Sequence, residues 1–267
     1  MRSVLLQDFI DYIRGKGSSG SAREQWVKRH QENRTIIVIG DSHSYFFSGQ
    51  EVIRSKKIGY HHGVINSSDN LLPTYSPIHI GPVLAYNANT YGTKTMGREK
   101  VDYLIKKQMI ERGDQVLFCY GEIDIRNHVV RQAAQQGIAM ESVVDRVLAN
   151  YLSFLVSMRD DGLRVACWGP TPSFPDAAIP NDAFPVHGDE IARNKATLYF
   201  NEQLDHLCQQ NNIGFTSIAA KLIDERGRIR QNYYVDVCHL SQKAWPLVVQ
   251  DPFANGWCAV SCDSWFY

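Results

Sequence analysis

Thr35-Ile36-Ile37-Val38-Ile39-Gly40-Asp41-Ser42-His43-Ser44 is the segment from which the rest of this chain can be understood. Five β-branched residues in a row, closed by glycine, predict a strand buried on both faces. Glycine permits a sharp turn off the strand, and Ser42 then opens a helix. Backbone N–H groups at such a start have no partner within the helix, so an alkoxide or oxyanion beside Ser42 is stabilised there. A plainer reading has Asp41 or Ser42 merely capping that helix.

Similar apolar runs recur along the chain. Gln115 to Tyr120, Leu163 to Trp168 and Ile213 to Ser217 are read as further strands, and the segment from Ile58 to Val64 as a fifth. Helical patterns fall between them, roughly over Lys94 to Glu111, Glu141 to Asp160 and Asp189 to Asn211. This alternation predicts an α/β fold, a three-layer α/β/α sandwich around a mostly parallel sheet. The main domain is expected over 35–250. Ahead of it, 1–34 reads as an N-terminal helix (Leu5, Leu6, Phe9, Ile10, Ile13) and a Gly/Ser linker from Gly15 to Ser21. That helix can dock on the domain or on a second copy of the chain in a homodimer. Beyond the domain, 251–267 is expected to pack on it as an aromatic tail with Trp257, Trp265, Phe266 and Tyr267.

Composition removes several function classes. Twenty-eight Lys and Arg balance 28 Asp and Glu over 267 residues, so the basic surplus of a nucleic-acid binder is missing. With 44% hydrophobic residues the chain is not of disordered composition. Val4-Leu5-Leu6 is cut short by Gln7-Asp8, and no run approaches the ~20 apolar residues of a membrane span, so a cytoplasmic protein is expected. Six cysteines are too few for a disulfide scaffold. Cys119 and Cys167 read as packed thiols, and the Cys258/Cys262 pair lacks two ligands for a metal site.

Two other segments carry chemistry. In Asp236-Val237-Cys238-His239-Leu240-Ser241, a carboxylate three residues before a histidine can reach Nδ1, fix the tautomer and leave Nε2 as a base. The plainer reading is an Asp cap beside a solvated histidine. From Pro170 to Pro185, five of the ten prolines crowd a single loop that begins where a strand ends, the edge at which open parallel sheets bind ligands.

Taken together, Gly40-Asp41-Ser42-His43 and the Asp236/His239 pair resemble the nucleophile and final blocks of the SGNH, or GDSL-type, hydrolases. Trp168-Gly169-Pro170-Thr171-Pro172 is similar to the segment those enzymes carry after the corresponding strand, and the likeness spans about Ile36 to Ser241. The resemblance implies a flavodoxin-like α/β/α fold. It also implies Ser42 as nucleophile, His239 as general base and acid, Asp236 as its orienter, and neither cofactor nor metal.

The family's oxyanion hole adds a glycine N–H and an asparagine side chain to the nucleophile's own N–H. Gly81 is the expected glycine, between Gly63 and Gly92. The third block reads Gly121-Glu122-Ile123-Asp124-Ile125-Arg126-Asn127-His128, with Ile123 where asparagine is expected. Losing one such donor costs ~10²–10³ in rate. Arg126 is the expected substitute, with Asn127 and His128 as alternatives and with Glu122 and Asp124 holding Arg126. Asp41 and His43 complete the set of site residues.

The expected substrate is a small-molecule or glycan ester, with an acetyl-like group on a carbohydrate favoured. Three other readings use the same residues. An O-acyltransferase would pass the acyl group to a sugar hydroxyl. A non-catalytic glycan- or protein-binding domain would explain Ile123. A metallophosphoesterase is suggested by Asp41-x-His43 and Asn127-His128, but no His-x-His closes that motif and His61-His62 is adjacent.

Overall fold

The computed structural model describes residues 19–33, 35–52, 54–60, 63–68, 70–178 and 185–249. Its centre is β1 (Ile36–Gly40), buried at every residue. In chain order follow β2 (Ser55–Tyr60), β3 (Val64–Ser68), β4 (Tyr75–His79), β5 (Gln115–Cys119), β6 (Arg164–Trp168) and β7 (Gly214–Thr216). The seven-stranded sheet has the order β2-β3-β4-β1-β5-β6-β7. From β4 through β7 every neighbouring pair is parallel, whereas β2, β3 and β4 pair antiparallel.

Alternation along β1 divides the core. Ile37 and Ile39 point to one face, among Val101 and Leu104 of α2 (Gly97–Lys106), Tyr151 and Phe154 of α4 (Met140–Asp160), and Phe200 of α5 (Glu190–Gln210). Ile36 and Val38 point to the other, among Phe46, Phe47, Leu222, Ala244 and Val248. Those partners come from short 3-10 turns and from α6 (Trp245–Val249). Each buried aliphatic side chain contributes about 1.5–3 kcal/mol, so β1 anchors both layers. The three-layer arrangement around a mostly parallel sheet is the expected fold class.

Several expectations are corrected. Ser19, Gly20 and Ser21, read as linker, begin α1 (Ser19–Asn33). The burial of Trp26 in the first core cluster outweighs the poor helix propensity of Ser and Gly. The single strand read over Ile58 to Val64 is two antiparallel strands, with Gly63 between them in the left-handed region. β4 has no counterpart in the sequence reading, and it carries at its centre Pro77, a residue that cannot donate to a ladder. Ile36 N–H donates to the Thr74 carbonyl and Ile80 N–H to that of Gly40, so alternate backbone groups of β4 face β1. The proline nitrogen therefore faces β3, whose ladder with β4 covers only Ile78 and His79. The predicted helix from Leu5 to Ile13, His61-His62, Cys258, Cys262 and the aromatic tail lie outside the described residues. Among the described residues, no helix is long and apolar enough to cross a membrane.

The order of the strands reverses about β1, since β4 and β5 flank it on opposite sides. In open α/β sheets the crevice at such a point, beyond the strands' carboxyl ends, is where ligands bind. The chain segments leaving β1, β4, β5 and β6 begin there with Asp41, Ile80, Tyr120 and Gly169.

Candidate active site

Gly40 ends β1 hard against β5. A Cβ at this position would lie 2.5 Å from the Cys119 carbonyl oxygen, so only glycine lets the chain turn off the sheet here. The Asp41 side chain then accepts from His43 N–H at 2.9 Å and caps the 3-10 helix Ser42–Ser48. The capping reading thus holds for Asp41, and the cap fixes Ser42 as the helix's first residue.

Far along the chain, an antiparallel bridge between Tyr234 and Leu240 closes a loop whose tip carries Asp236 and His239. Asp236 Oδ1 accepts from the backbone N–H of Cys238 (2.8 Å) and His239 (2.7 Å), while Oδ2 lies 2.7 Å from His239 Nδ1. Burial raises the Asp236 pKa, but these hydrogen bonds and the His239 charge bring it well below the usual carboxylate range. An ionised carboxylate only accepts, so the hydrogen resides on Nδ1 and the Nε2 lone pair faces outward. Ser42 Oγ lies 2.6 Å from that Nε2 and donates to it. Residues 197 positions apart thus form one chain of hydrogen bonds from hydroxyl to imidazole to carboxylate.

Two residues with no motif signal tie these segments together. Glu51 accepts from Ser241 Oγ (2.7 Å) and Gln242 N–H (3.0 Å), and Gln242 Nε2 donates to the Phe46 carbonyl (2.8 Å). The loop bearing His239 is thereby fastened to the helix bearing Ser42.

Behind Ser42 lies a buried charged layer. His43 Nδ1 donates to Asp41 Oδ1 at 2.8 Å. Burial alone would lower the His43 pKa, but the Asp41 charge and hydrogen bond, together with Glu122, hold it up at about 9. This pair should stabilise the fold in a definite pH window. With the folded value above the ordinary 6.5, the contribution is complete below that value and is lost as pH rises through about 9. Asp41→Asn should therefore cost about 2 kcal/mol near neutrality, and less in alkali. Thermal unfolding of both proteins at about pH 6 and about pH 10 checks this, and a gap that widens in alkali contradicts it.

The third block is the start of a helical stretch over 122–136, with π-type turns at Asp124–Val129 continuing into α3 (Val130–Gln136). Such turns are rare and recur at functional sites. Arg126, the expected oxyanion donor, lies within these turns. Its Nε donates to Glu122 Oε1 (2.7 Å), Nη2 to Glu122 Oε2 (3.3 Å) and Nη1 to the Pro185 carbonyl (2.9 Å). Its guanidinium carbon also lies 5.6 Å from the Phe174 ring centroid. Ser173 Oγ adds a hydrogen bond to Glu122. Asp124 does not hold Arg126 as expected. It accepts instead from the N–H groups of Ala85 (2.8 Å) and Tyr86 (3.1 Å), and burial raises its pKa to about 7.

Of the other expected contacts, Gly81 follows directly on Ile80, whose N–H donates to the Gly40 carbonyl, with φ +90° in the region glycine favours. Gly121 packs against Phe200 and Pro170. Asn127 Nδ2 lies 3.3 Å from His128 Nε2, a neighbour in its own helix. Ile123 is half-buried and has no donor to offer.

Ser42, His239, Tyr45, Phe46, Val235 and Leu240 line a shallow depression. A larger hollow of about 390 Å³ surrounds Trp26, His30, Asp114 and Arg164. It lies at the opposite, amino-terminal ends of the strands, away from the hydroxyl–imidazole–carboxylate chain, so size does not mark the reactive centre.

No family model and no curated protein matches this chain. Among solved structures, it is similar to a GDSL-like lipase from Bacteroides thetaiotaomicron, at 13% identity and a TM-score of 0.46, over 81% of this chain and 84% of that one. An acetyl xylan esterase is similar at 15% identity and a TM-score of 0.45, over 84% of this chain and all of the other. The OSK domain of Drosophila Oskar is similar at 12% identity and a TM-score of 0.44, over 80% of this chain and 85% of that domain.

Proposed function

We propose that this protein is a serine ester hydrolase acting on a small acyl ester through an acyl-enzyme intermediate. The carrying observation is the continuous contact from Ser42 Oγ through His239 to Asp236, at 2.6 and 2.7 Å. Ser42 attacks the ester carbonyl while His239 Nε2 takes its proton. The oxyanion is held by the N–H groups of Ser42 and Gly81. His239 then protonates the leaving alcohol and activates the water that releases the acid. The shallow depression beside Ser42 suits a short acyl group, and a carbohydrate is the favoured alcohol. If a sugar hydroxyl replaces water in the second half, the same residues perform O-acyl transfer.

A fluorophosphonate probe tests the reading. It should label the wild type and leave Ser42→Ala unlabelled, and short acyl esters should release their alcohol in a burst where deacylation is the slower half. Equal labelling of the variant overturns the mechanism. An absence of both labelling and turnover favours a non-catalytic binding domain, the reading motivated by Ile123. Adding a sugar acceptor separates the two enzymes, because a transferase loses free acetate to the new ester.

A further inference from the structure

His43, Cys238 and His239 each bring one ligand atom within 4.8 Å of the other two. Cys238 Sγ lies 3.5 Å from His239 Nδ1 and 4.0 Å from Nε2, and the two imidazole centroids are 5.1 Å apart. Both imidazoles have the outer support that metal-ligating histidines usually show, an Nδ1–H donated to a carboxylate. His43 donates to Asp41 (2.8 Å) and His239 to Asp236 (2.7 Å). His43 Nε2 is buried and has no hydrogen-bond partner among the described residues. Nothing in the esterase reading uses the Cys238 thiol, although it lies beside the proposed base.

We infer that His43, Cys238 and His239 form an inhibitory site for a borderline-soft divalent cation such as Zn²⁺. Two imidazole nitrogens and one thiolate make a three-ligand set with a fourth position for water, a common arrangement for zinc. Hard cations such as Mg²⁺ prefer oxygen and are not expected to bind. Binding exchanges protons for the ion: the Cys238 thiol releases one to solvent, and the cation replaces the one on His43 Nε2. It also takes His239 Nε2 away from Ser42 Oγ, leaving the hydroxyl without its base. The binding stands on the ligand atoms alone, whereas the inhibition rests on the reading of Ser42 and His239 as nucleophile and base.

Co²⁺ loaded into the full chain provides a direct readout, through thiolate-to-metal charge transfer and the intense visible bands of a tetrahedral ion. Both should appear in the wild type and disappear on adding Zn²⁺. Cys238→Ser should abolish the charge transfer and weaken Co²⁺ binding by about tenfold or more, with Cys238→Ala as a second variant if the first does not fold. His43→Gln should weaken binding similarly. A Cys258→Ser/Cys262→Ser variant should keep the spectrum. Zn²⁺ should slow fluorophosphonate labelling of the wild type, and the same slowing of Cys238→Ser should need about tenfold or more Zn²⁺. An unaltered Co²⁺ spectrum in Cys238→Ser, or one lost only in the Cys258/Cys262 variant, overturns the site. Charge transfer present in a protein that the probe never labels upholds the site and removes the esterase reading instead.

Discussion

Alanine at Ser42 and alanine at His239 should each lower kcat on a short acyl ester by about 10⁴–10⁶-fold, and the double variant should lose little more than either alone. The reason is the single chain of contacts: Ser42 Oγ without Nε2 is a weak nucleophile, and Nε2 without the hydroxyl has no proton to accept. Groups that act as a unit do not contribute additively. Asp236→Asn should cost about 10⁴. Its amide oxygen can keep the backbone bonds to Cys238 and His239, so the loop persists. Its amide N–H₂ facing the ring forces the hydrogen onto Nε2, which then offers Ser42 a donor where a lone pair is needed. Steady-state kinetics on the four variants checks this, with circular dichroism to show that each is folded. Losses for Ser42→Ala and His239→Ala that multiply in the double variant would mean that the two residues act in separate steps.

Much of this arrangement was legible because strand and motif coincide. β1, β5 and β6 are apolar runs, and the chemistry begins within two residues of their ends. The three-residue interval from Asp236 to His239 is local, so a carboxylate–imidazole contact could be read from spacing alone. That Ser42 meets this loop follows from the parallel sheet, which brings the segments leaving its strands to one edge. What stayed hidden depends on contacts between distant loops. Glu51 and Gln242 carry no motif, and their bonds exist only once the fold has formed. β4 was not read from the sequence, and the missing donor of its Pro77 matters only where the backbone faces a paired neighbour. Arg126 was placed correctly beside Glu122, since the i, i+4 interval on a helix brings them together. Its other partners, Phe174 and Pro185, come from the proline-rich loop, and no spacing rule connects that loop to residue 126.

That last contact set leads to the second large effect. Arg126→Ala should destabilise the fold by about 3–5 kcal/mol, a fall of about 6–20 °C in the thermal midpoint. Glu122 is 4% exposed and Arg126 5%, so removing the guanidinium leaves a buried carboxylate with Ser173 Oγ as its side-chain hydrogen-bond donor among the described residues and the His43 charge nearby. Replacing both together, Glu122→Gln with Arg126→Met, should recover most of the loss, since no unpaired charge remains. The folded fraction of Arg126→Ala should keep kcat within about tenfold of the wild type, well short of the ~10²–10³ that follows loss of an oxyanion donor. The guanidinium faces Glu122 and the Pro185 carbonyl, so its removal acts on activity through the loop it fastens. Differential scanning calorimetry and kinetics on the same samples separate the two roles. A midpoint unchanged within about 1 °C, with kcat down about 100-fold, would instead place Arg126 at the oxyanion. The expected opposite pattern makes Arg126 a structural tie between the third block and the proline-rich loop. On the proposed mechanism the oxyanion would then depend on the backbone N–H groups of Ser42 and Gly81, with no contribution from isoleucine at position 123.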